Sequence, residues 1–195
     1  AIHAVIDEVD RLESIFSLYR PNSELVRLNR DGTLANPSLE LVDLLSTARR
    51  VSELTEGAFD VTVQPLWQLY AAGKSDPAAI ARSLKVVGFD GIRMGSDEIT
   101  LTRPGAEITL NGIAQGYITD RVAALLKAEG FDNVLVNMGE IRAVGSDPWQ
   151  VSTPSARTVT LSDRAVATSS RQGLTFDAQG RYHHIFDPRT GQSTR

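Results

Sequence analysis

The chain has no cysteine and only three histidines, two methionines and two tryptophans in 195 residues. The absence of cysteine excludes disulfides, thiolate nucleophiles and cysteine-ligated metals, although it leaves the compartment open. Neither sign of charge forms a block: charged residues make up 23%, the formal net charge is −4 and the sequence pI is about 5.4. Lys and Arg are scattered, which argues against a nucleic-acid stripe or a basic membrane face. No apolar run reaches the roughly 18 residues that a transmembrane helix needs, and no repeat or low-complexity stretch occurs. What remains is ordinary globular composition, 42% hydrophobic, in a chain long enough for one large domain or two small ones. The first residue is Ala1, not Met, as expected of a mature form whose targeting segment has been removed, or of a trimmed chain.

The hydrophobic periodicity predicts helices and strands in an irregular order. Val5, Val9, Leu12 and Phe16 recur at helical steps with acidic residues between them, so 4–17 reads as an amphipathic helix. A second helix is expected from Pro37-Ser38 through Leu41, Leu44, Leu45, Ala48 and Ser52, stopping before Gly57. Asp76-Pro77 opens a shorter one through Ile80 and Leu84, closed by Gly88. A long helix is expected over about Ile113 to Glu129, with Gly130 as its stop. Strands are expected at 92–94, 98–101, 107–110, 134–137, 149–152, 158–161, 165–169 and 182–186. Helices, strands, a helix and strands again indicate an α+β layered architecture, not a doubly wound sheet.

Five segments carry candidate chemistry. In Thr109-Leu-Asn-Gly-Ile-Ala-Gln-Gly-Tyr117 a strand runs through a turn into a helix. A helix N-terminus suits a phosphate, and Gly112 and Gly116 would admit a bulky ligand; a turn with a packing glycine explains the pattern as well. It is neither GxGxxG nor a P-loop. In Tyr182-His-His-Ile-Phe-Asp-Pro-Arg-Thr-Gly191 the two histidines point to opposite faces if the segment is a strand, so one of them can face a site as a general base. The alternative is an edge strand with two surface histidines and an Asp-Pro turn. Zinc is disfavoured, because His3 is the only other histidine and no HExxH spacing exists. Thr55-Glu-Gly-Ala-Phe-Asp-Val-Thr62 offers a ring and a carboxylate beyond a helix end, or a turn with Phe59 in the core. Ala167-Thr-Ser-Ser-Arg171 and Asn137-Met-Gly-Glu140 put small polar groups at strand ends, where they line a pocket or merely turn the chain.

Six segments then occur together and in order. They are Ser17-Leu-Tyr-Arg-Pro-Asn-Ser-Glu-Leu25 with Leu28-Asn29, Gly57-Ala-Phe-Asp-Val-Thr62, Asn111-Gly-Ile-Ala-Gln-Gly-Tyr117, Asn137-Met-Gly139, Ala167-Thr-Ser169 and His184-Ile-Phe-Asp-Pro-Arg-Thr-Gly191. Together they closely resemble the FAD:protein FMN transferases, the ApbE family, formerly called thiamine biosynthesis lipoproteins. The resemblance covers nearly the whole chain and extends to accessory flavin proteins of nitrous-oxide reductase maturation. It implies a mixed α/β, T-fold-like architecture, FAD and Mg2+ as donor substrate and metal, and FMN attachment to a threonine hydroxyl of a partner protein with release of AMP. The implied partner is a membrane-associated redox subunit on the periplasmic or extracytoplasmic side. A flavin-binding carrier or maturation factor without transferase chemistry is the alternative, and a hydrolase that splits FAD is a weaker third.

Carried over by position, the resemblance implies FAD contacts at Tyr19, Ala58, Phe59, Asp60, Thr109, Gln115 and Phe186. It implies a metal-binding carbonyl at Gly112 and His184 as general base. Thr109 and Gln115 depart from the family's frequent Asp and Lys, and losing the Lys weakens charge contact to a diphosphate. The family's Asp and Thr metal ligands lie in a motif of the type Asp-Ala-Leu-Ser-Thr well after Asp-Pro-Arg-Thr-Gly, and residues 1–195 contain no such motif. Residues 1–195 are therefore expected to be one flavin-transferase domain whose C-terminal metal-ligand segment is either lacking or lies outside these residues.

Overall fold

The computed structural model describes residues 1–153 and 157–194. It forms two compact units, Ala1–Glu13 with Ile113–Ser169, and Ser14–Gly112 with Ser170–Arg195. The class is α+β, and every strand pairing is antiparallel.

In the first unit, residues up to Glu13 of α1 (Ile2–Phe16) and helix α6 (Ala114–Ala128) cover one face of a sheet. That sheet has the order β4 (Val134–Asn137), β5 (Ile141–Val144), β8 (Ala165–Val166). Its faces follow the two-residue period of a strand. Val134, Val136 and Val144 pack with Val122, Ala123, Val5 and Val9 on the helix side. Leu135, Ile141 and Ala143 pack with Val151, Trp149 and Leu161 of the hairpin β6 (Trp149–Ser152) and β7 (Thr158–Leu161). The register Val134↔Val144 and Leu135↔Ala143 keeps both apolar sets in phase.

The second unit holds α2 (Glu24–Asp31), α3 (Leu39–Leu54), α4 (Gln64–Ala71) and α5 (Pro77–Ser83). Its main sheet has the order β1 (Thr33–Ala35), β3 (Glu98–Leu101), β2 (Ile92–Met94). Helices α2, α3 and α5 start at side-chain caps that occupy otherwise unpaired amides, whereas α4 starts with Pro65 and no such cap. Ser23 Oγ accepts from the Val26 amide at 3.0 Å, and Asp76 Oδ1 accepts from Ala78 and Ala79 at 3.1 and 3.0 Å. Ser38 caps α3, and its own amide and hydroxyl donate to Glu24 Oε2 at 3.0 and 2.9 Å, which ties the start of α3 to α2.

The predicted strand 107–110 is not one. Three of its backbone groups are satisfied outside any ladder. The Asn29 side chain serves both the N–H and the C=O of Ile108, and the Thr109 amide donates to the Val61 carbonyl at 2.8 Å. The strand expected over 165–169 is limited to β8, after which residues 167–171 are exposed and belong to no strand. The strand expected over 182–186 is reduced to a bridge between His183 and Thr175 and the short pair β9 (Phe186–Asp187) and β10 (Gln192–Ser193). Helices α2 and α4 and strands β1 and β5 were not anticipated.

Candidate functional site

The loop after α3 is fixed by a buried carboxylate. Asp60 is 7% exposed; its Oδ1 accepts from the Thr62 amide at 2.8 Å and the Thr62 hydroxyl at 2.6 Å, and its Oδ2 accepts from the Phe89 amide at 2.8 Å. The Thr62 hydroxyl in turn accepts from the Gly88 amide at 2.7 Å. Asp60 thus ties its loop to the turn at 88–89, and its oxygens are engaged by protein donors. One residue back, the Phe59 amide donates to Thr55 Oγ1 at 3.1 Å, while Ala58 is exposed. The Phe59 ring lies against Gly112: a Cβ there would meet Phe59 Cε2 at 3.3 Å, tighter than ordinary packing. The loop around Phe59 and the turn at Gly112 are therefore neighbours, and the Thr109 amide donates to the Val61 carbonyl beside them. Thr109 Oγ1 accepts from the Asn111 amide at 3.3 Å and shapes the turn.

Beside that turn the second unit opens a cleft of about 340 Å³. Tyr19, 84% exposed, stands on its wall, and Trp67, Gln64, Asn29 and Asn111 also line it. Trp67 is held edge-on against Phe176, with ring centroids 5.8 Å apart. Gln68 donates to Glu107 at 2.7 Å along the same wall. Aromatic surface with a few polar groups is the usual lining of a small-molecule site. The sequence reading found Tyr19 and missed Gln64 and Trp67. They sit on α4, whose signal was the Pro65 start and the Leu66, Leu69, Tyr70 spacing.

The two histidines are separated by their surroundings. His183 is 2% exposed; its Nδ1 accepts from the Ile185 amide at 3.3 Å, which leaves Nε2 to donate to the Thr194 carbonyl at 2.8 Å. It is a structural residue. His184 is half-buried, with both its amide and its ring Nδ1 3.1 Å from the Leu174 carbonyl. Donation from Nδ1 to that carbonyl leaves the lone pair on Nε2, the arrangement of an acceptor-ready imidazole. Nε2 has no hydrogen-bond partner among the described residues.

Phe186 lies elsewhere. It is 7% exposed and stacks on Tyr70 at 4.8 Å and on Phe176 at 6.1 Å, inside a cluster with Leu66 and Ile80. Its burial makes it a support for the segment that bears His184. The following Asp-Pro-Arg-Thr-Gly turn is tied to the same cluster by the Tyr70 hydroxyl, which donates to the Gly191 carbonyl at 2.9 Å. Burial, and then the neighbouring Tyr182, push the Tyr70 phenol above its ordinary range, which keeps the donor protonated. Gly191 has φ +69°, and a Cβ would fall 2.7 Å from Ile80 Cγ2, so both conformation and space call for glycine. Asp187 accepts from Arg189 Nε and Nη2, each at 2.8 Å, and this pairing holds its carboxyl below the usual range. Gln115 belongs to the first unit, where its Nε2 donates to the Met138 carbonyl at 2.5 Å across the turn at Gly139.

The metal fit is incomplete. Mg2+ takes oxygen ligands, commonly one or two carboxylates beside substrate phosphates. Among the described residues no group of three or more His, Asp or Glu side chains could hold a metal ion. Gly112 offers a carbonyl, while the Asp60 carboxylate is engaged by its three donors. The described residues do not by themselves make a Mg2+ site.

A buried anchor, a ring-lined cleft and an oriented imidazole define an α+β protein with a small-molecule site. The chain belongs to the ApbE family, whose model matches residues 1–195. It is 33% identical to the FAD:protein FMN transferase of Vibrio cholerae over 214 residues, covering 95% of this chain and 64% of that protein. It is 30% identical to the FAD:protein FMN transferase of Haemophilus influenzae over 219 residues, covering 97% and 62%. Its fold matches the ApbE protein of Thermotoga maritima with a TM-score of 0.90 at 26% identity, covering all of this chain and 70% of that one. The chain spans just under two thirds of the length of these two curated relatives.

Proposed function

We propose that the protein transfers the FMN half of FAD to a threonine hydroxyl of an acceptor protein and releases AMP. The observation that carries this reading is the match to the family over residues 1–195, together with a half-buried His184 whose Nδ1 is engaged by Leu174 and whose Nε2 has no protein partner. In the proposed step the threonine oxygen bonds to the FMN-side phosphorus. The bond from that phosphorus to the bridging oxygen breaks, and AMP leaves with the oxygen. The threonine proton passes to His184 Nε2, a general-base role that suits an imidazole near neutral pH. Phosphoryl transfer depends mainly on positioning and charge stabilisation. The Asp60 anchor ties the 58–60 loop to the turn at 88–89, and the Phe59–Gly112 contact sets that loop against the turn at 109–112.

Mg2+ dependence, a membrane-associated redox partner and an extracytoplasmic location belong to this proposal through the family resemblance. Among the described residues no helix is long and apolar enough to cross a membrane. The test is intact-mass spectrometry of a threonine-bearing acceptor after incubation with the full-length protein, FAD and Mg2+, with an EDTA control. A mass gain of one FMN, absent with EDTA, is expected. Tight FAD binding without any gain on a competent acceptor would favour a carrier instead.

A further inference from the structure

Gln64, the first residue of α4, has an unusual position in the cleft. It is 8% exposed, it lines the cleft, and its carboxamide makes no hydrogen bond to any described residue. Ser23, Asp60, Thr62 and His183, also buried in the second unit, have partners within the fold: Ser23 caps α2, Asp60 and Thr62 hold each other, and His183 bridges to Thr194. Within the cleft itself, the Asn29 amide is occupied by Ile108 and that of Gln68 by Glu107. The Gln64 amide atoms open to the cleft and are not sealed in the core, so a ligand that covered them without pairing them would lose affinity. The same cleft also presents the rings of Tyr19 and Trp67.

We propose that Gln64 is a specificity-determining residue that hydrogen-bonds the edge of a planar nitrogen heterocycle seated in this cleft. The proposal rests on the reading that the protein binds FAD. A carboxamide offers one acceptor and two donors side by side. Both heterocycles of FAD present the complement: isoalloxazine an N–H between two carbonyls, adenine an amino group beside a ring nitrogen. Tyr19 and Trp67 supply aromatic surface for the ring. Trp67 is already fixed by Phe176, so this wall needs little ordering on binding. A ring that lacks the paired edge would leave the buried amide unsatisfied and would be rejected.

The test is calorimetric titration of the full-length protein with FAD, FMN and AMP, in wild type and in Gln64→Leu, with melting curves of both unliganded proteins. Gln64→Met, closer in length, serves if leucine does not pack. The variant should bind FAD about tenfold more weakly, the scale of losing a buried ligand hydrogen bond. One of the two halves should weaken with it. A loss confined to FMN places isoalloxazine in the cleft, and a loss confined to AMP places adenine there. The unliganded variant should melt no lower than wild type, because the group removed has no partner in the fold. Unchanged FMN and AMP affinities in a folded variant would overturn the proposal, as would a lower melting temperature for both unliganded variants. Wild-type protein that binds none of the three ligands would instead sink the FAD reading itself.

Discussion

Asn29 brackets Ile108: its Nδ2 donates to the Ile108 carbonyl and its Oδ1 accepts from the Ile108 amide, both at 2.8 Å, across 79 positions of sequence. One side chain thus takes the place of a neighbouring strand. It ties α2 to the segment that leads into the turn at Gly112. Ile108 is fully buried, so its backbone has no water to fall back on. Asn29→Leu should destabilise the protein by roughly 2–4 kcal/mol, since two buried backbone groups lose their partners at about 1–3 kcal/mol each with partial relaxation. Urea denaturation checks this. A change below about 0.5 kcal/mol would show that the segment has other partners.

The two histidines should respond differently to removal. His184→Ala is expected to abolish flavin transfer and to leave FAD affinity and the unfolding midpoint nearly unchanged. His183→Ala should lower the midpoint, because it unpairs the Thr194 carbonyl and the Ile185 amide in a nearly sealed position. Parallel denaturation and transfer assays separate the roles. Full transfer by the His184 variant would remove it from the base role.

Asp60→Asn keeps the shape and replaces one acceptor by a donor that faces N–H or O–H groups. The Thr62 and Phe89 amides cannot both be satisfied afterwards. A loss of about 2–4 kcal/mol is expected, in the range of breaking a buried hydrogen-bond network. Because Asp60 also ties the Phe59 loop to 88–89, the variant should weaken FAD binding even under conditions where it is fully folded. Equal FAD affinity would confine Asp60 to stability alone.

The Asp187–Arg189 pair should give a pH signature. Arg189 holds the Asp187 carboxyl below its ordinary value in the folded protein. The folded state therefore binds a proton less readily than the unfolded chain, and the stabilisation is present above the ordinary Asp value of about 3.9. It is lost as pH falls below that value through the lower folded one. The pair is partly exposed, so the effect is small and screened by salt. Asp187→Asn should flatten this part of the acid limb of a midpoint-versus-pH curve relative to wild type; superimposable curves would contradict the assignment.

Much of the fold was legible because its signals are local. The steps from Val5 to Phe16 and from Leu41 to Ser52, the Asp76-Pro77 start and the Gly130 stop each lie within one helical window, and α1, α3, α5 and α6 form where these predict. The hairpin strands at 149–152 and 158–161 were equally plain from their residues. Helix α2 was missed although Ser23, the Leu25 and Leu28 spacing and Gly32 mark it; two turns give few periodic positions to weigh. The candidate site was found as motifs whose roles stayed open. Tyr19 lines the cleft, the Phe59 ring lies against Gly112, His184 is half-buried and Phe186 is in the core.

What the sequence determined by itself is the set of elements with strong local periodicity and the order of the motifs that marks the family. Tertiary structure alone decided which polar groups pair. It made 107–110 an irregular segment served by Asn29 and Val61, assigned His183 to the fold and left His184 an open ring nitrogen, and occupied Asp60 while leaving Gln64 without a protein partner. The physical reason is the range of the interactions. Helical periodicity and capping act over a few residues, but the satisfaction of a buried donor or acceptor depends on groups that folding brings from tens of positions away.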